Sequence, residues 1–244
     1  MTSFRYVFIY CIIFALAADA SAQRKFVHPG ILHTQQSLNR IYKVANDKIM
    51  PGYGSFLLLK ANPLASNDYK MEGPFATISR DGKFKHTKNK MEADFSAAYL
   101  NALMWIATKH KLHAKKSLAI LEAYADTLKN ISATNDAPLL AGLEGTKIVN
   151  AIEILRYTGG GVSKDQLKKI TRMITGVFLP VCEKFYNTKA YTNGNWGPIV
   201  TKLYLSAAIF FNNETMYKKA INFYNNAEDN GTIKNYISGS TGQL

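Results

Sequence analysis

Residues 91–106, Met-Glu-Ala-Asp-Phe-Ser-Ala-Ala-Tyr-Leu-Asn-Ala-Leu-Met-Trp-Ile, decide the fold class of this 244-residue chain. Apolar side chains recur there every three or four positions, and the pattern continues to Lys109. That spacing is typical of one face of an α-helix. The stretch therefore predicts a long helix with a wide apolar face, formed by Ala93, Ala97, Leu100, Leu103, Met104 and Ile106.

Helical patterns of the same kind continue downstream and come in consecutive pairs, over residues 91–130, 138–186 and 195–226. Neighbouring long helices with short connections pack antiparallel. The sequence predicts an all-α fold of antiparallel helical hairpins, arranged as a solenoid or as an α/α toroid whose inner helices surround a cleft. A tetratricopeptide stack is the alternative, but its fixed period and Trp-Leu-Gly spacing are absent from the sequence.

Several local signals predict where helices begin and break. Thr34 is predicted to open a helix, and Ser163 with Gln166 forms a capping-box pattern. Pro180 falls inside a helical pattern and predicts a kink or break. Residues 51–90 carry many prolines and glycines without a sustained helical period, which predicts a long irregular segment near the N-terminus. Such a segment is a lid, a binding wall or a disordered insertion, and its aromatic residues argue against disorder.

The first 22 residues are typical of a secretory signal peptide. Arg5 is followed by an apolar run over residues 7–17 and by Ala20-Ser-Ala22, a small-residue cleavage pattern, so Gln23 is the expected mature start. A membrane anchor is the alternative, but the run is short for a bilayer. We expect a periplasmic or secreted domain over residues 23–244, without stable membrane insertion after cleavage. Its single cysteine would be Cys182, which excludes an internal disulfide.

The charge and the motifs narrow the class of partner. A net charge of +13 suits an anionic extracellular partner such as an acidic polysaccharide; scattered solubilising lysines are the alternative, and we do not predict a nucleic-acid partner. His110 and His113 lie among lysines, which oppose a metal cation. The sequence lacks a Walker loop and a Gly-x-Ser-x-Gly elbow. We therefore expect neither a metal nor another cofactor.

Residues 191–197, Tyr-Thr-Asn-Gly-Asn-Trp-Gly, form a polar loop that leads into a helix and suits a sugar-binding cleft. Cleavage of a uronate polysaccharide by β-elimination requires neutralisation of the carboxylate, a base and an acid. We predict that Asn195 neutralises the carboxylate and that Tyr191, Asn193 and Trp196 line the subsite. A plain N-cap role for Asn195 and a core role for Trp196 remain alternatives.

Four further polar residues are weaker candidates for the same cleft: Tyr99, Glu144, Lys147 and Asn150. Lys147 and Asn150 share one face of the helix that follows Pro138, so both are predicted to reach the substrate. Ordinary surface or capping roles are the alternative for these side chains.

An ordered set of short motifs resembles the alginate lyase superfamily of polysaccharide lyases, at residues 28–34, 90–99, 101–105, 137–142, 193–197 and 236–243. The resemblance implies an α/α toroid, export, and eliminative cleavage of alginate or a related polyuronate. It also implies that Asn195 contacts the substrate carboxylate.

Two departures from that family pattern qualify these expectations. Alginate lyases proper often have Asn-His where this chain has Asn195-Trp196, which makes glucuronan-type substrates credible. The family pattern also continues beyond Leu244 with the residues to which the resemblance would assign proton transfer. We therefore expect the amino-terminal part of a lyase, an incomplete toroid that binds an acidic polysaccharide and turns it over slowly or not at all. The alternative is a non-catalytic glycan-binding helical protein.

Overall fold

A computed structural model describes residues 26–188 and 196–226. Its long elements are helices, which confirms the predicted all-α class: α1 (Gln35–Asn46), α2 (Gly52–Ala61), α3 (Lys88–Thr108), α4 (Lys111–Thr127), α5 (Ala137–Tyr157), α6 (Lys164–Met173), α7 (Leu179–Tyr186), α8 (Trp196–Phe210) and α9 (Glu214–Asn226). Short 3-10 turns span Pro63–Ala65 and Gly82–Thr87. Two-residue strands β1 (Thr77–Ile78) and β2 (Asn130–Ile131) pair in parallel, with Thr77 opposite Asn130.

The long helices form two layers. In the inner layer, α3 packs between α1 and α5, and α5 packs in turn against α8. The outer layer contains α4, α6, α7 and α9, of which α4 packs on α3 and α9 packs on α8. The apolar core lies between the layers and includes Phe95, Tyr124, Leu140, Phe178 and Phe210. Within the described part of the chain, no helix is both long enough and apolar enough to cross a membrane.

Contacts along α3 and α5 show that these inner helices run in the same direction. Near the middle of both helices, Lys147 Nζ lies 3.0 Å from Ser96 Oγ. Near their ends, Trp105 Nε1 donates to Thr158 Oγ1 over 3.0 Å. By contrast, α4 returns antiparallel to α3, as the hairpin prediction requires.

Two glycines allow α8 to pack closely on α5 in the same direction. A Cβ at Gly142 would lie 2.5 Å from the Ile199 side chain, and a Cβ at Gly145 would lie 2.6 Å from that of Leu203. Any larger residue at either position would push the helices apart. The amino-terminal ends of α3, α5 and α8 therefore share one side of the inner layer, and their helix dipoles favour negative charge there.

The predicted capping signals are confirmed. Thr34 Oγ1 accepts the Ser37 amide at the start of α1, and both hydrogen bonds of the Ser163–Gln166 capping box are present. A π-helical segment, Ile174–Phe178, separates α6 from α7 immediately before Pro180. This is the break that the proline predicts, since Pro180 cannot donate a helical hydrogen bond.

The sequence interpretation of residues 51–90 is wrong for part of that segment. Gly52–Ala61 is the helix α2, and α3 already begins at Lys88. None of the residues of α2 is fully buried, so its apolar side chains show no periodic face from which a helix is recognised. The predicted signal peptide lies outside the described residues.

Candidate functional site

The residues predicted to form the sugar-binding loop are only partly described. Tyr191, Asn193 and Asn195 lie outside the described residues. Trp196 is the first residue of α8 and is half-buried against the apolar core. Its helix turn packs on the start of α5 through Ile199 and Gly142, so Trp196 lies at the amino-terminal side of the inner layer.

Lys147 forms a partly buried ion pair on the inner face of α5. Its ammonium group lies 3.0 and 2.9 Å from the two carboxylate oxygens of Glu144 and donates to Ser96 on α3. The Lys147 side chain is 29% exposed, whereas that of Glu144 is only 2% exposed. Lys147 therefore keeps access to solvent above a carboxylate that has almost none.

Burial makes Glu144 an unusual carboxylate. Desolvation raises its pKa to about 7, although Lys147 opposes this shift and Glu92 adds to it by like-charge repulsion. Arg80 offsets part of that repulsion, because its guanidinium lies 2.5 Å from Glu92 and 3.6 Å from Asp136. Glu144 can therefore exchange a proton near neutral pH while it remains next to the ammonium group.

Asn150 lies one helix turn beyond Lys147, but the structure uses its amide internally. Its Oδ1 accepts the Leu32 amide over 3.2 Å, and its Nδ2 donates to the Thr146 carbonyl over 2.9 Å. Asn150 is 2% exposed, so its observed contacts hold the N-terminal segment onto α5.

Residues 26–34, which we call the strap, cross the inner layer from α8 to α3. Glu153 on α5 accepts hydrogen bonds from the Gly30 amide and lies 2.7 Å from His28 Nδ1. The His28 ring stacks on Tyr157 at 4.4 Å. These contacts place the end of the strap beside α3.

The strap brings His33 to Tyr99, one of the weaker sequence candidates. His33 Nε2 lies 2.7 Å from the Tyr99 hydroxyl, and both side chains are partly exposed. Burial lowers the pKa of His33 and raises that of Tyr99, so both groups favour their neutral forms. Tyr99 follows Ser96 by three residues on α3, which places it on the same face as the contact to Lys147.

We call the group formed by Ser96, Tyr99, Glu144, Lys147 and His33 the polar cleft; the name refers to side chains joined by hydrogen bonds and by their place on one helix face. It combines a cation, a titratable carboxylate and a neutral imidazole–phenol pair at the inner face of α3 and α5. Sequence reasoning missed His33 as a site residue, because only the folded strap brings it within reach of Tyr99. Its position in the Pro-Gly segment before the first helix was the available signal.

Two largely apolar cavities lie elsewhere in the described part of the chain. One of about 360 Å³ lies between the start of α5 and α7 and is lined mainly by apolar residues, with Lys184 as a cation. The other, of about 460 Å³, lies between α1 and α2 and is also largely apolar. A third cavity, of about 420 Å³, lies beside α4 and is lined in part by Lys111, Lys115 and Glu122. None of these three cavities is lined by a residue of the polar cleft.

The chain was compared with models of known protein families. The family model described as Alginate lyase matches residues 50–235, which include the cleft residues on α3 and α5 but not the strap. No curated protein and no solved structure was found to match the chain.

Proposed function

Because the chain belongs to the alginate lyase family and is thus a polysaccharide lyase, we propose that it cleaves a uronate-containing polysaccharide by β-elimination. Alginate and glucuronan are the two proposed substrates. In this reaction the proton on C5 leaves, a double bond forms between C4 and C5, and the bond from C4 to the leaving oxygen breaks.

The partly exposed ammonium group of Lys147 on the inner face of α5 is the observation that supports this proposal most directly. A uronate C5–H becomes acidic only when the neighbouring carboxylate is neutralised, and a partly exposed ammonium group in a cleft can do this. A substrate carboxylate can replace Glu144 as the ion-pair partner of Lys147. Glu144 can take up a proton when this happens, because its pKa is about 7. The amino-terminal ends of the parallel inner helices lie more than two turns from Lys147 and contribute little there, but they favour negative charge at their own end of the inner layer.

The surface at the same end of the inner layer suits a long polyanion. Lys83, Lys85 and Lys90 are exposed at or near the start of α3, and none of them forms an ion pair within the described ranges 26–188 and 196–226. The same segment is tied to the starts of α3 and α5, since Arg80 bridges Glu92 and Asp136. A chain of uronates leaving the cleft on this side would meet positive charge.

The polar loop at residues 191–197 is part of the proposal. Asn195 would share the neutralisation of the carboxylate, Tyr191 and Asn193 would hydrogen-bond the sugar, and the Trp196 indole would stack on it. We also propose export to the periplasm or the medium, on the signal-like sequence of residues 1–22.

The proposal is tested by incubating the full chain with alginate, with glucuronan and with an uncharged polysaccharide. We expect ultraviolet absorbance from an unsaturated uronate with at least one acidic polymer and none with the neutral one. Calorimetric binding without new absorbance would identify a glycan-binding protein instead. No binding to either polyuronate would contradict the proposed substrate class altogether.

A further inference from the structure

We propose that Tyr99 and His33 are the proton-transfer pair of this lyase and that the strap holds His33 in place for that role. This inference rests on the proposed function, because it assigns steps of that reaction to named atoms. The hydrogen bond of 2.7 Å between His33 Nε2 and the Tyr99 hydroxyl is its geometric basis.

The pair is within reach of the group that would hold the substrate. Ser96 Oγ contacts Lys147 Nζ, and Tyr99 is one turn further along the same face of α3. Residues at this spacing have Cβ atoms about 5–6 Å apart. A uronate whose carboxylate engages Lys147 would thus present its ring, with C5 and O4, towards the Tyr99 hydroxyl.

The protonation states suit the role. Burial favours the neutral phenol of Tyr99 and the neutral imidazole of His33, so Nε2 can accept the phenolic proton when Nδ1 carries the imidazole hydrogen. A neutral imidazole and a phenol in contact form a short proton relay, which is a common arrangement for general acid–base catalysis.

The proposed reaction conserves protons and electrons. Tyr99 oxygen takes the C5 proton while its own proton passes to His33 Nε2, and the electron pair of the C5–H bond forms the C4=C5 double bond. The C4–O bond breaks, and the leaving oxygen takes a proton from the Tyr99 hydroxyl. His33 then returns its proton to Tyr99, so the enzyme ends in its starting state.

The attachment of the strap supports a positioning role. Three polar groups of the strap hydrogen-bond to the side chains of Glu153 and Asn150 on α5. The Phe26 amide donates to the side-chain oxygen of Asn212. Within the described residues, His28 Nε2 and Glu153 Oε2 are buried without a hydrogen-bond partner. Each such atom typically destabilises a fold. A contact with this cost is better explained by the need to orient His33 than by stability.

The test compares Tyr99→Phe and His33→Gln with the unaltered full chain on the polyuronate that it cleaves. We expect kcat to fall by roughly 10² to 10⁴ for Tyr99→Phe, with little change in KM, because only the proton-transfer group is removed. Tyr42→Phe and His110→Gln, on exposed residues outside the polar cleft and the proposed polymer surface, are the matched controls and should keep full activity.

A pH profile separates proton transfer from a merely structural role. Activity of the unaltered chain should fall on the acid side as His33 becomes protonated, and this limb should be lost from the residual activity of His33→Gln. The other titratable groups near the pair are Lys147, Glu144 and Glu153 on α5 and His28 on the strap. Glu153→Gln should lower kcat while leaving the acid limb in place, since His33 is still present.

The outcomes distinguish the two proposals. Full activity of Tyr99→Phe in a chain that cleaves polyuronates would overturn the pair and leave the proposed function standing. An unaltered chain that forms no unsaturated product from any polyuronate would overturn the proposed function, and the pair would fall with it. Loss of activity with an unchanged acid limb in His33→Gln would also contradict the pair.

Discussion

Asp94 on α3 and Glu144 on α5 are both buried carboxylates of the inner layer, yet their surroundings are opposite. Asp94 accepts four hydrogen bonds, from the hydroxyls of Tyr69 and Tyr124 and from the amides of Glu72 and Gly73, at 2.7–2.9 Å. Glu144 has Lys147 as its close cation and lies near a second carboxylate, Glu92.

This difference indicates which buried charge is structural and which is kept for exchange. The four donors around Asp94 come from α4 and from the segment before β1, so that carboxylate ties three parts of the chain together. Glu144 contacts Lys147 one turn along α5, and Lys147 in turn contacts Ser96 on α3. The pKa of Glu144 is raised to about 7. A carboxylate in that state is suited to a site where another anion competes for the same cation.

The largest expected effect is on stability. Asp94→Asn replaces an acceptor of four hydrogen bonds by a group that carries two donors, and should lower the free energy of unfolding by about 3 to 5 kcal/mol. Glu144→Gln should be nearly neutral or stabilising at pH 7, because it removes a charge that burial disfavours. Urea unfolding of both variants measures this, and an equal loss in the two would remove the contrast.

The second effect is the part of the pH dependence of stability that Glu144 contributes. Its folded pKa of about 7 lies above the ordinary value of 4.5, so its stabilising contribution is complete below pH 4.5 and is lost as pH rises through 7. The unaltered chain should lose up to about 3 kcal/mol relative to Glu144→Gln over that interval. Parallel stability curves for the two proteins would show that Glu144 titrates normally.

The third effect concerns turnover. Lys147→Met keeps the length of the side chain and removes its charge, so kcat/KM on the polyuronate should fall by roughly ten- to a hundredfold, the range of one lost charged hydrogen bond. Lys168→Met, on an exposed lysine of the outer helix α6, is the matched control and should change little. Equal kinetics of the two variants would exclude Lys147 from the site.

The smallest effect concerns long substrates. Replacing Lys83, Lys85 and Lys90 together by serine should weaken binding of a polyuronate by roughly three- to tenfold, and less at high salt. The matched control replaces Lys111, Lys164 and Lys168, three exposed lysines of the outer layer, and makes the same change in net charge. The same loss in both triple variants would mean that net charge, and not the location of the lysines, attracts the polymer.

The sequence predicted the helices better than it predicted the cleft. Periodicity identified α3, α4 and α5, and capping residues such as Thr34 and Ser163 located helix starts, because both signals are local. It missed α2, which has no buried face. It also missed the pairing of His33 with Tyr99, since 66 residues separate them and only the path of the strap joins them. Asn150 lies on the same helix face as Lys147, as predicted. The sequence could not reveal that the Leu32 amide donates to the side-chain oxygen of Asn150.

A crystal structure of the full chain with a bound uronate oligosaccharide would test the account most directly. We expect one uronate carboxylate within hydrogen-bond distance of Lys147 Nζ, with C5 of that sugar facing the Tyr99 hydroxyl. An oligosaccharide bound along the outer helices, with the Lys147–Glu144 pair unchanged and the polar cleft empty, would contradict it.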